Sequence, residues 1–112
     1  MPDLETFFTS LTAQIGKLLA GAAGQHVADA QRDAKAFVEA AREDVERWMA
    51  LAAAGQLKPE DVAWLMQGKQ ELAQLLALKR VGLAELELVK LRQSVVKLAV
   101  DAVLEQLKKG KG

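Results

Sequence analysis

Residues 89 to 107, VKLRQSVVKLAVDAVLEQL, limit what this chain can fold into more than any other stretch. At 100° per residue, Glu87, Lys90, Ser94, Lys97, Asp101, Glu105 and Lys108 fall in a band about 80° wide. Leu88, Val89, Leu91, Val95, Val96, Leu98, Ala99, Val100, Ala102, Val103, Leu104 and Leu107 fill about 240° of the remainder, whereas a surface helix needs an apolar stripe of only about 100°. One neighbouring helix cannot cover such a face. Leaving half of it wet, at about 25 cal/mol per Å², forfeits several kcal/mol, comparable with the whole stability of a small domain.

Its cover can come from the same chain, from other copies or another protein, or from lipid. The first helix reads as brief and the third as interrupted by glycine, so cover from outside the chain is the leading expectation. The expected interface is Leu88, Leu91, Arg92, Val95, Val96, Ala99 and Val103, joined by Phe37 and Trp48. Arg92 sits near the middle of the apolar arc. Either its stem carries the charge out to water, or it pairs with Glu85 at a helix contact, reciprocally so between two antiparallel copies.

The rest of the chain also reads as helical. The composition is 51% hydrophobic with only 4% aromatic residues, an aliphatic, alanine-rich mixture that favours helices. No run alternates with period two between turn residues. The expected fold is therefore all-α, one domain over residues 1–112, a bundle of about four helices: a long helical hairpin plus a short N-terminal helix, forming an oligomer.

The first helix is expected over about 4–20, with Asp3 as N-cap and Leu4, Phe7, Phe8, Leu11, Ile15, Leu18, Leu19 and Ala22 on one face. The second, about 26–54, carries a seam of Val27, Ala30, Ala34, Phe37, Ala41, Val45, Trp48 and Ala52. Its outer face bears Asp29, Arg32, Asp33, Lys35, Glu39, Arg42, Glu43, Glu46 and Arg47, with Glu43 and Arg47 spaced to pair. Gly55 suits the position after the helix end, and Pro59 the start of the next. That third helix is expected over about 59–80 with a possible break at 68, Val62, Leu65, Met66, Leu72, Leu75 and Leu76 pointing inward. Gly82 separates it from the last, about 83–109.

Candidate chemistry is sparse. Fifteen basic and fifteen acidic side chains balance, so no global field favours nucleic acid, and no basic stripe is interleaved with aromatics. Trp48 and Trp64 read as core anchors. There is no cysteine or tyrosine and a single histidine, which leaves little for nucleophilic catalysis. His26, Asp29 and Asp33 share a helix face and could offer metal ligands only with help from another chain. The pair Gly68-Lys69 fails as the end of a phosphate loop, because Ala63 stands where the earlier glycine belongs and Gln70 replaces Ser or Thr.

The segment from Phe7 to Gly24 is apolar, but Asp3 and Glu5 precede it where a signal peptide is basic, and polar residues interrupt it as a span. The expectations are therefore no enzyme, no cofactor, no resident metal, no nucleic-acid partner and a cytoplasmic location. The functional expectation is a helical interaction or scaffold protein that self-associates or docks a protein partner. The alternative is an amphipathic-helix protein that coats a lipid or granule surface.

Overall fold

The computed structural model describes residues 4–24 and 26–110. Those residues form an all-α helical bundle: α1 (Leu4–Ala23), α2 (Val27–Ala53), α3 (Pro59–Gln67), a 3₁₀ turn (Gln70–Leu72), α4 (Leu76–Arg80) and α5 (Glu85–Gly110). Asp3, the expected N-cap of the first helix, lies outside the described residues.

The chain reverses between α1 and α2 at Gly24, whose φ of 64° is left-handed and disfavours any residue with a Cβ. The two helices then pack antiparallel. Glu5 meets Arg42 near one end, while Gly16 lies against Gln31 and Ala34 near the other. A second reversal follows at Gly55 (φ 79°). Here Gly55 N–H donates to Ala52 O and Gln56 N–H to Leu51 O, so two end carbonyls of α2 keep their partners. The next helix starts at Pro59, and the Asp61 carboxylate accepts from Lys58 N–H at 3.0 Å.

The third helix stops at Gln67 with Gly68 as its C-cap, so the possible break at 68 is realised, and the remainder of the expected 59–80 helix is a 3₁₀ turn and the short α4. The break resets the helical phase. Val62, Met66 and Leu75 are buried and Leu65 and Leu72 half-buried, as the continuous pattern requires, but Leu76 is 57% exposed and Leu78 takes the core position instead. Trp64 is likewise not a core anchor. It is 71% exposed, whereas Trp48 is buried.

The core is one cluster drawn from every helix. Phe8, Leu11, Ile15 and Leu19 of α1, the α2 seam from Ala30 to Ala52, Val62, Met66 and Leu78 of the broken segment, and Leu88, Leu91, Val95, Val96, Ala99, Val100 and Val103 of α5 all belong to it. Val27 alone among the seam residues is exposed. Most of the apolar arc of the last helix is thus covered by its own chain, more than the expected short first helix and interrupted third would shelter, while Leu98, Ala102, Leu104 and Leu107 stay half-buried and Val89 exposed.

Candidate interaction surface

Eight of the nine residues expected at an interface, Leu88, Leu91, Val95, Val96, Ala99, Val103, Phe37 and Trp48, are buried inside this single chain. They are packed against one another and are not displayed. The ninth, Arg92, is half-buried, and its Nε donates to the main-chain oxygen of Ala73 at 2.9 Å. Its partner within the chain is therefore a carbonyl and not Glu85, which is exposed. The physical reason is the break after α3: the non-helical turn at Ala73 leaves a carbonyl without a helical donor, and a guanidinium reaching out of an apolar face satisfies it.

Asp33 shows the same logic with opposite charge. It was expected on the solvated face of the second helix, yet it is 6% exposed and its carboxylate accepts from the N–H groups of Ala77 at 2.9 Å and Leu78 at 2.8 Å. These are the second and third residues of α4, the donors that a local N-cap would satisfy. The local N-cap position is Leu75, in a left-handed conformation at φ 50°. Leucine supplies no capping oxygen, so α2 does so across the fold. The acidic side chain also favours the positive end of the helix it faces.

This arrangement removes Asp33 from any site with His26 and Asp29, whose side chains approach only to 4.0 Å. Among the described residues no three His, Asp or Glu side chains come together as metal ligands. Arg47 pairs with Asp44 and not with Glu43, while Arg42 reaches Glu46 at 3.0 Å and also meets Glu5. Hydrogen bonding to Glu5 first, and then to Glu46, raises the Arg42 guanidinium above its ordinary pKa. Arg42 also lies 4.9 Å from the Phe8 ring centre, so the outer seam of the α1–α2 hairpin is held by charge and by a cation over a ring.

Two open troughs run along α1. One, of about 720 Å³, lies on the α1–α2 side, with Ala13, Gly16 and Ala20 forming a shallow floor. The other, of about 760 Å³, lies between α1 and α5, where Phe7 faces Leu98 and Ala102 across a gap whose far bank is Ser94, Lys97, Asp101 and Glu105. Phe7, Leu98 and Ala102 pack on the core but remain partly open. Helical periodicity gives the angular width of each apolar face and does not reveal this trough, because a gap between two faces depends on how far apart their helices are set.

The large apolar side chains left exposed are Val27 of α2, Trp64 of α3, Leu76 of α4, Val81 just after it, and Leu86 and Val89 at the start of α5. No helix of the described residues is long and apolar enough to cross a membrane. Comparison with protein families, with curated proteins and with solved structures finds no match.

Proposed function

We propose that the chain is a non-enzymatic helical interaction protein that works by binding protein, in the first place another copy of itself. The observation that carries this reading is the trough between α1 and α5. Its walls are two helices, its apolar residues Phe7, Leu98 and Ala102 are only half-covered, and its rim carries both signs of charge. A gap of about 760 Å³ with that lining suits the side chains of a helix laid along it.

Most of the apolar arc of α5 is sheltered by its own chain, and the place open to a partner is the seam with α1 where that shelter is incomplete. Sedimentation velocity of the purified chain from the micromolar to the millimolar range tests it. A reversible shift from monomer to dimer or higher species is the expected result, and a monomer throughout removes self-association. Flotation with vesicles of neutral and anionic lipid is expected to leave the protein unbound. Uptake by both kinds would favour a surface coat instead.

A further inference from the structure

The polar stripe of α5 is arranged as a charge palindrome. Glu87, Lys90, Ser94, Lys97, Asp101, Glu105 and Lys108 are all exposed and share one line along the helix. About a point between Lys97 and Leu98, Glu87 is the mirror position of Lys108, Lys90 of Glu105, and Ser94 of Asp101. Laid against a reversed copy of itself, the stripe therefore sets opposite charges together at both ends. Lys97 falls one turn from the other copy's Asp101.

We infer that this stripe is the contact between two copies of the chain, related by a two-fold axis that passes between Lys97 and Leu98. The inference deepens the self-association reading and rests on it. An antiparallel copy sets Glu87 against Lys108 and Lys90 against Glu105, and brings Lys97 within one turn of Asp101. A parallel copy places Lys90 on Lys90 and Glu105 on Glu105. Contacts related by a two-fold repeat, so each pair occurs twice in one dimer.

The stripe also forms the far bank of the trough between α1 and α5, so a second α5 lying along it covers Leu98, Ala102 and Phe7 near the axis. The pairs from Glu87 to Lys108 span about 32 Å of helix at 1.5 Å per residue. Antiparallel helices also oppose their dipoles favourably. This register differs from one centred on Glu85 and Arg92, which the bond from Arg92 to Ala73 disfavours.

The test uses the full chain with Lys90→Glu, Glu105→Lys and the double substitution, compared by sedimentation equilibrium, with circular dichroism as the check on folding. Both side chains are exposed, and neither makes an ion pair among the described residues. Each single change converts two attractions into two repulsions and is expected to weaken the dimer about tenfold. The double change restores the wild-type affinity. An equimolar mixture of the two single variants also restores it, because each chain then offers the charge that the other lacks, and the wild-type dimer weakens as salt rises.

Three results overturn the inference. Dimerisation that neither single change alters places the contact elsewhere and leaves the self-association reading standing. Weakening without rescue, in the mixture or in the double variant, rejects the antiparallel register. A wild-type chain that is monomeric throughout removes the inference and the self-association reading together.

Discussion

Asp33 and Arg92 are charged residues that act on the backbone of a distant segment, and each replaces a cap that the local sequence lacks. Substituting Asp33 by Ala leaves the buried N–H of Leu78 and the half-buried N–H of Ala77 without their acceptor. The expected loss of stability is about 3 kcal/mol, read from urea unfolding, because each orphaned group costs about 1–3 kcal/mol. Asp33→Asn keeps one acceptor oxygen and is expected to lose about half as much. Arg92→Met preserves the stem that packs on the core and removes the donor to Ala73. It is expected to cost about 1–2 kcal/mol while leaving the association state as in the wild type, since Arg92 points to its own chain. Asp33 lies at the edge of the buried seam, between Ala30 and Phe37, but its position alone does not bury it. Its burial is set by α4 arriving overhead, and that is information from a residue more than forty positions away.

At the scale of elements, the ends of the helices were more legible than their continuity. Gly55 and Pro59 mark a stop and a start through local chemistry, and the structure uses them that way. The third helix was harder to read, because Gly68 is compatible with a helix, a bend or an end. Its φ of −74° is an ordinary right-handed value, and a Cβ added there meets Leu65 O at 3.4 Å. Gly82, by contrast, has a φ of 100° and ends α4, with its own N–H bonded to Lys79 O and that of Leu83 bonded to Leu78 O. The two glycines therefore predict opposite outcomes. Gly68→Ala is expected to be neutral or to stabilise by about 0.5 kcal/mol by restricting the unfolded chain, whereas Gly82→Ala is expected to destabilise by about 1 kcal/mol or more. Thermal unfolding of the two variants side by side reads the sign.

Over the whole molecule, measuring 44 × 24 × 19 Å, α2 and α5 provide the long rows of buried side chains, whereas the broken segment from Pro59 to Arg80 contributes fewer, spread over three short pieces. Its hold depends on Val62, Met66, Ala73, Leu75 and Leu78 together with the two polar anchors. Native-state hydrogen exchange is therefore expected to show amides of α3 and α4 opening at a lower free energy than those of α2 and α5, and Asp33→Ala is expected to widen that difference. Equal protection across all helices would contradict it.

Helix type, the seam of α2 and the apolar arc of α5 follow from the order of residues alone, because helical periodicity is a property of neighbours three and four apart. Which neighbour covers which arc is a property of the packed whole. The chain folds its interrupted third segment over α5, buries Asp33 and leaves Trp64 outside, and none of these follows from a helical wheel. Burial depends on where the other helices come to lie, and their placement is decided by the break at Gly68, the left-handed turn at Leu75 and the long-range hydrogen bonds that make both tolerable.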